Sequence, residues 1–166
     1  RSFAFAYVGD YMDTAKAKDL ANAQISEGAD IIFQVAGGAG NGVIEAAAEK
    51  DGVMAIGVDS DQYQALEGSN LQPAVITSSL KRLDNALFNI CQSYAEDPSS
   101  VPFGENVTYG LAEDSVGIVF NDNLTNSIGQ ENVDKVQEAL EKIQVGEIEV
   151  TEAAGLSAEE IDAIVQ

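Results

Sequence analysis

The first 80 residues alternate short apolar segments with helix-forming segments, and this rhythm constrains the fold more than any other feature of the chain. Strand-like composition recurs four times, at Phe3–Val8, Asp30–Val35, Val53–Val58 and Ala74–Leu80. Helix formers with apolar residues at helical spacing fill two of the intervals, Ala15–Ser26 and Val43–Lys50. Such alternation with short loops predicts an α/β fold, a parallel sheet with helices on both faces.

The second half of the chain departs from this rhythm and is predicted to contain further strands and helices. One helix is predicted from a helical face of apolar residues within Lys81–Ala95, namely Leu83, Ala86, Leu87, Ile90 and Tyr94. Two strands that could pair with each other are predicted at Val107–Leu111 and Val116–Phe120. The other predicted elements are a helix over Asn132–Val145, a strand over Ile148–Val150 and a helix over Leu156–Val165. The 166 residues fit a single domain.

The charge of the chain argues against nucleic-acid and membrane partners. It has 28 acidic and 8 basic residues, which give a formal net charge of −20. Nucleic-acid binding needs a positive surface that displaces counterions, and anionic membrane surfaces repel an acidic chain for the same reason. The sequence also has no apolar run of about 18 residues, so direct membrane insertion by this segment is not expected.

Histidine is absent and Cys91 is the single cysteine, which argues against most catalytic and metal-binding chemistry. Zinc sites need several Cys or His ligands, and nucleophilic catalysis by Ser or Cys usually relies on a His. Asp59 and Asp61 could be paired carboxylates for glycoside hydrolysis, but at one strand end they are expected to point apart. No catalytic residue, metal or cofactor is therefore predicted. Cys91 lies in a helical pattern and is expected to be buried.

Residues that could contact a ligand follow the predicted strands and are expected to meet at one edge of the sheet: Tyr11, Gly37, Asp59 and Lys81. Ligands of such sheets bind beyond the carboxyl ends of the strands. The glycine-rich run Gly37–Gly42 opens a helix but fits neither the dinucleotide fingerprint nor the phosphate loop. It is either a tight strand-to-helix turn or a place where the backbone of Gly37 or Gly38 approaches an uncharged polar ligand.

Each of the three candidate side chains has a functional interpretation and an ordinary one. Asp59 could accept hydrogen bonds from vicinal hydroxyls, as ribose offers them, or it could cap a helix or lie in a solvated turn. Lys81 could donate to a hydroxyl and pair with Asp59 across the strand ends, or it could be a surface lysine. The ring of Tyr11 could stack on a base or sugar, or it could belong to an exposed loop.

Five ordered segments resemble blocks of one protein family. Gly28–Gly42 reads GADIIFQVAGGAGNG, and Ala55–Gln62 reads AIGVDSDQ. Both are similar to signatures of the basic membrane protein (BMP) family of PnrA-like nucleoside-binding lipoproteins. Three further segments also resemble blocks of that family: Tyr7–Asp13, Thr77–Ala86 and Tyr109–Leu111. All five segments follow one another along the chain in the order that the family has. Together the segments extend from residue 7 to about residue 120, which makes the resemblance more specific than any single motif.

The resemblance implies a type I periplasmic-binding-protein fold, in which two Rossmann-like lobes close on a nucleoside that is handed to an ABC-type permease. It implies a binding protein, not an enzyme, that is extracytoplasmic and lipid-anchored in its full-length form. Residues 1–80 would be the C-terminal ligand-binding lobe, and residues 81–166 a hinge-crossing helix and elements that complete the lobes. The N-terminal lobe and the lipidated cysteine would be absent, as in a truncated chain, a proteolytic product or a partial gene.

Matching positions transfer the family's ligand contacts to this chain. Asp59 and Lys81 would bind the ribose hydroxyls. Tyr11, where the family usually has Phe, would pack on the nucleoside, and Gly37 or Gly38 would approach it through the backbone. The predicted function is the substrate-binding component of an ABC-type transporter for nucleosides, purine nucleosides first. Two alternatives stay open: a receptor for another polar solute, such as a sugar or an autoinducer-like ligand, and a sugar- or nucleotide-modifying α/β enzyme.

Overall fold

A sheet in the order β1–β2–β3–β4 forms the centre of the chain. Its strands are β1 (Ile31–Phe33), β2 (Met54–Asp59), β3 (Val75–Lys81) and β4 (Val116–Ile118). The structure is a computed structural model that describes residues 4–150, 156, 157, 159, 160 and 163. The predicted helix over 156–165 lies mostly outside these residues.

The helices begin and end close to the predicted positions where the hydrophobic pattern was long. They are α1 (Thr14–Ser26), α2 (Gly40–Ala48), α3 (Gln62–Ala65), α4 (Leu83–Glu96), α5 (Asp122–Ile128) and α6 (Gln130–Gln144). Polar side chains cap several of them: Asp13 accepts from Lys16 N–H at 3.0 Å and Asn121 accepts from Leu124 N–H at 2.8 Å. The short α3 and α5 were not predicted, because four and seven residues give too little helical periodicity.

The predicted α/β architecture is confirmed, with one change in the sheet. Strands β1, β2 and β3 are mutually parallel. β4, within the predicted strand Val116–Phe120, joins this sheet and runs antiparallel to β3 with Ser79 opposite Ile118. The predicted partner strand Val107–Leu111 does not form. β4 pairs instead with the open edge of β3, where Arg82 N–H donates to Ser115 C=O at 2.8 Å and brings the two segments together.

Two further predicted strands are absent from the described residues. Residues 4–8 form no ladder with the sheet, and Phe5 and Tyr7 are exposed. Residues 148–150 also form no strand. Apolar composition predicted both, but a strand requires a neighbour whose backbone donors and acceptors are available. The first prediction therefore identified an apolar segment correctly and its pairing incorrectly.

Hydrophobic clusters cover both faces of the sheet. On one face, Ile44 of α2 packs with Ala55 and Val75 of the central strands. On the other, Ile76 packs with Leu124 of α5 and Val133 of α6. Val75 and Ile76 point to opposite faces because successive strand residues alternate. The expectation of helices on both faces is thus met by α2 on one side and by α5 and α6 on the other.

Helices α1 and α2 pack closely because small residues face each other. A Cβ atom at Gly42 would collide with the carbonyl oxygen of Thr14 and lie 2.9 Å from its carbonyl carbon. At the rim of this contact Lys18 Nζ lies 2.7 Å from Glu49 and 3.2 Å from Glu45. Hydrogen bonds to Glu49 and then Glu45 raise the pKa of Lys18 above its ordinary value.

Helix α4 differs from its prediction because its apolar side is exposed. Leu83, Leu87 and Tyr94 were expected on a buried face, but they are 60%, 63% and 50% exposed. Cys91 was expected to be buried and is exposed as well. The helix is held instead by polar contacts, with Asn85 Nδ2 donating to Asp114 C=O at 2.8 Å. Amphipathicity predicted the helix correctly, but it cannot say whether this chain supplies a partner for the apolar side.

We predict that Gly42→Ala lowers the free energy of unfolding by about 1–3 kcal/mol, despite the higher helix propensity of alanine. The new methyl group meets the backbone of Thr14, which cannot rotate away. Urea unfolding followed by circular dichroism measures the change. Gly110→Ala is the control, since its Cβ would come no closer than 3.7 Å to Glu113 Oε2. Equal stability of the two variants would contradict the close packing of α1 on α2.

Candidate functional site

The carboxyl ends of the three parallel strands lie side by side and carry three of the predicted site residues. Gly37 follows β1 by four residues, Asp59 ends β2 and Lys81 ends β3. Neighbouring strands are about 4.8 Å apart, so these ends fall within the span of one small ligand. Lys81 belongs to the strand and not to the predicted helix, which begins at Leu83. We call this edge, from Gly37 to Lys81, the carboxyl edge.

Asp59 and Lys81 form an ion pair across adjacent strand ends. Lys81 Nζ lies 2.8 Å from Asp59 Oδ1, and the two side chains are 56% and 54% exposed, Lys81 first. A half-exposed pair contributes little to folding, typically below about 1 kcal/mol. Each partner also keeps unused hydrogen-bonding capacity, since an ammonium has three donors and a carboxylate about four acceptor positions. The pair is therefore preformed, electrically balanced and accessible.

Asp59 has an unusual backbone conformation. Its φ is +68°, a region that few residues other than glycine adopt. Ser60 N–H donates to Val58 C=O at 2.8 Å, which closes a three-residue turn with Asp59 at its centre. A positive φ at the centre of such a turn is the rarer and strained form of the γ-turn. Backbone strain of this kind is common at ligand sites, where it gives a side chain an orientation that a regular strand would not allow.

Tyr11 and the glycine turn contact each other. Ala39 N–H donates to Tyr11 C=O at 2.8 Å, and Asp10 Oδ1 accepts from Met12 N–H at 2.6 Å in the turn before α1. A Cβ on Gly37 would lie 3.4 Å from the Tyr11 ring, and one on Gly38 would lie 3.2 Å from Met12 Sδ. The prediction that Tyr11 follows a strand is wrong, since residues 4–8 are not one. The turn before α1 carries Tyr11, a residue that is 75% exposed.

These contacts account for the two glycines within the chain itself. Gly37 has a φ of +57°, a left-handed conformation that favours glycine, and a Cβ on Gly38 would crowd the Tyr11 carbonyl oxygen at 3.3 Å. The turn Gly37–Ala39 is a single 3-10 turn that leads into α2. The interpretation as a tight strand-to-helix turn is sufficient to explain both residues, and contact between their backbone and a ligand stays a prediction.

A set of partly buried hydrogen bonds next to the carboxyl edge was not predicted from the sequence. Gln34, 2% exposed, donates from Nε2 to Gln62 Oε1 at 2.8 Å, and its Oε1 accepts from Ala36 N–H at 3.3 Å. Gln62 Oε1 also accepts from Val58 N–H at 3.0 Å, and Gln62 N–H donates to Ser78 Oγ at 3.1 Å. A polar Gln34 inside an apolar strand was the signal that could have indicated it. We call these contacts the glutamine relay.

Within the described parts of the chain, no three Asp, Glu, Cys or His side chains come together as a metal ion would require. The chemistry that remains at the carboxyl edge is hydrogen bonding and stacking by Asp59, Lys81 and Tyr11. Polar groups gathered beyond the ends of parallel strands are typical of open-sheet α/β proteins that bind small ligands. The fold and the site together are therefore those of the open-sheet α/β class, whose members bind small ligands at this edge.

Comparison with protein families gives this lobe its place. The chain belongs to the family described as PnrA-like ABC transporter substrate-binding proteins (Bmp), whose model matches residues 3–154. The resemblance noted from the motifs is thereby confirmed. The family consists of binding proteins, so the alternative of a sugar- or nucleotide-modifying enzyme is not supported and the chain is not an enzyme.

Curated relatives agree with this assignment. The chain is 33% identical over 117 residues to the ABC transporter nucleoside-binding protein BmpA of Lactococcus lactis, covering 63% of this chain and 32% of that protein. It is 35% identical over 158 residues to the CD4+ T-cell-stimulating antigen of Listeria monocytogenes, covering 88% and 42%. The chain thus spans less than half the length of these relatives.

Solved structures resemble the chain in fold. An ABC transporter solute-binding protein from Aeropyrum pernix K1 superposes with a TM-score of 0.68 at 24% identity, over 96% of this chain and 50% of that one. One from Conexibacter woesei superposes with a TM-score of 0.65 at 22% identity, over 90% and 46%. Identities this low show a shared fold and leave the ligand open.

We predict that substitutions at Asp59 change stability in the order set by tolerance of positive φ. Asp59→Gly and Asp59→Asn should leave the free energy of unfolding within about 1 kcal/mol of the unaltered protein, since both residues adopt this conformation. Asp59→Val should lower it by about 1–3 kcal/mol. Urea unfolding of the three variants measures the order. Equal stability of the Val and Asn variants would contradict the strained turn.

Proposed function

We propose that the chain is the ribose-binding lobe of a nucleoside-binding protein that serves an ABC-type importer. The observation that carries the proposal is the accessible Asp59–Lys81 pair on the carboxyl edge. It is supported by the family assignment and by a relative whose name is nucleoside-binding protein. Purine nucleosides are the first candidates among the ligands.

The pair suits an uncharged ligand that carries neighbouring hydroxyl groups. The charges of Asp59 and Lys81 balance each other, so the pair offers no net attraction to an anion or a cation. The carboxylate of Asp59 would accept hydrogen bonds from two vicinal hydroxyls, while Lys81 would donate to one of their oxygens. Ribose has this arrangement at its 2′ and 3′ positions. Charge-assisted hydrogen bonds of this kind are the stronger ones in proteins.

Tyr11 would provide the apolar part of the contact. Its exposed ring lies against the Gly37 turn at the other end of the carboxyl edge from Lys81. A flat ring in that position could pack on the base or on the sugar while Asp59 holds the hydroxyls. The backbone of Gly37 or Gly38 would approach the ligand beside it. A free sugar would offer the ring a smaller apolar surface than a nucleoside does.

In the whole protein this lobe would close with a second lobe on the ligand and deliver it to a permease. Substrate-binding proteins of importers act outside the cytoplasm, and a lipid anchor would hold this one at the membrane. Among the residues that the structure describes, none of the helices is both long and apolar enough to cross a bilayer. Residues 1–80 would form the ligand-binding lobe, and residues 81–166 would supply the hinge-crossing helix and complete the lobes.

We predict that the complete product of the encoding gene binds inosine, guanosine or adenosine, and that Asp59→Asn weakens this binding by about 10- to 150-fold. That range corresponds to about 1.5–3 kcal/mol for hydrogen bonds to a charged group. Asparagine keeps the shape and the backbone conformation of Asp59 but loses the charge. Isothermal titration calorimetry with each nucleoside, free ribose and free base measures the affinities.

Asp61→Asn is the matched control for this experiment. It removes the same charge two residues away, and asparagine still caps α3 as Asp61 does through Gln64 N–H at 3.1 Å. Its affinity should stay within about twofold of the unaltered protein, since exposed polar substitutions have small effects. Binding of ribose or another sugar without any nucleoside would reject the proposed ligand class. Unchanged affinity in Asp59→Asn would remove Asp59 from the site.

A further inference from the structure

Gln62 lies at the junction of the three segments that form the carboxyl edge. Its Oε1 accepts from Gln34 Nε2 at 2.8 Å and from Val58 N–H at 3.0 Å, while its own N–H donates to Ser78 Oγ at 3.1 Å. Gln34 precedes the glycine turn, Val58 precedes Asp59, and Ser78 lies three residues before Lys81. One residue thus connects all three strand ends, the first two through its side chain and the third through its backbone N–H.

The glutamine relay leaves no room for a side chain at two positions, and both are glycine. A Cβ on Gly57 would lie 2.5 Å from Gln62 Oε1 and 2.6 Å from Ser78 Oγ. A Cβ on Gly40 would overlap the side-chain amide of Gln34. Any other residue at either position would have to displace an amide. The space for the relay is therefore built into β2 and into the first turn of α2.

The relay also acts on the strained turn at Asp59. The amide of Val58 lies beyond the last β1–β2 pair, Phe33 with Ile56, and the Gln62 side chain takes the place of a strand acceptor. The carbonyl of the same residue, Val58, closes the turn with Ser60 N–H. A strained conformation persists only where its surroundings fix it on several sides. The side chain of Gln62 holds Val58 through the Val58 N–H, and the backbone N–H of Gln62 holds the start of α3 to Ser78 of β3.

We infer that Gln62 is a positioning residue, which holds the turn at Asp59 in the conformation that presents the carboxylate to the ligand's hydroxyls. It touches no ligand itself and acts through Val58 and Asp59. The inference rests on the proposed function for the identity of the ligand, but the hold of Gln62 on the turn can be measured without one.

The first experiment uses the ligand-free protein and three variants. Gln62→Met keeps the length of the side chain and removes its acceptor, so the Val58 amide should exchange with deuterium about tenfold faster, as measured by NMR. Gln62→Glu keeps an oxygen that can accept and should restore slow exchange. Gln64→Met, on the same short helix but exposed, is the matched control and should change nothing. Unchanged exchange in Gln62→Met would overturn the inference.

The second experiment compares inosine with 2′-deoxyinosine, which lacks one of the two hydroxyls. Gln62→Met should lower the preference for inosine about fivefold, and it should have little further effect in an Asp59→Asn background. An equal loss of affinity for both ligands would indicate a purely structural role and overturn the inference. If the unaltered protein binds neither ligand, the proposed function fails, and the exchange experiment alone decides the role of Gln62. Should Gln62→Met fail to fold, Ser78→Ala serves both experiments, because it removes the hydroxyl that anchors Gln62.

Discussion

The hydrogen bond from Gln34 Nε2 to Gln62 Oε1 is the contact on which the arrangement of the carboxyl edge depends. The Gln34 side chain in this contact is buried, and a buried amide without a partner would be costly. Through Val58 N–H and Ser78 Oγ the same relay ties the ends of β1, β2 and β3 together. A positive φ at Asp59 is tolerated because this relay and the turn hydrogen bond fix the backbone on both sides.

The carboxyl edge carries the Asp59–Lys81 ion pair, whose two charges cancel, on a protein that is otherwise acidic. A chain with a net charge of −20 repels anions at long range, so an anionic ligand would be a poor match for it. Lys81 neutralises Asp59 locally at 2.8 Å and leaves hydrogen bonding as the available interaction. Neutral polyols, such as nucleosides, fit these electrostatics.

The exposed apolar side of α4, with Leu83 and Leu87, shows that the described residues do not cover all of the apolar surface they present.

Strong periodicity made the central α/β architecture predictable from the sequence, whereas pairing and burial were not. Apolar runs with glycine stops located β1 to β3 and the helices α1 and α2. Composition could not show that residues 4–8 lack a strand neighbour, that β4 reverses direction, or that Cys91 is exposed. Because Asp59 and Lys81 each follow a predicted strand, the sequence indicated that they would be neighbours. The strain at Asp59 and the contacts of Gln62 depend on tertiary geometry, which a linear pattern does not contain.

A crystal structure of the complete gene product with bound inosine tests the central claim most directly. We expect the 2′ and 3′ hydroxyls within about 2.5–3.0 Å of the Asp59 carboxylate, with Lys81 Nζ donating to one of them and Tyr11 against the ligand. We also expect Val58, Asp59 and Gln62 to keep the contacts seen without ligand. Inosine bound elsewhere, or at the carboxyl edge with its ribose turned away from Asp59, would contradict it.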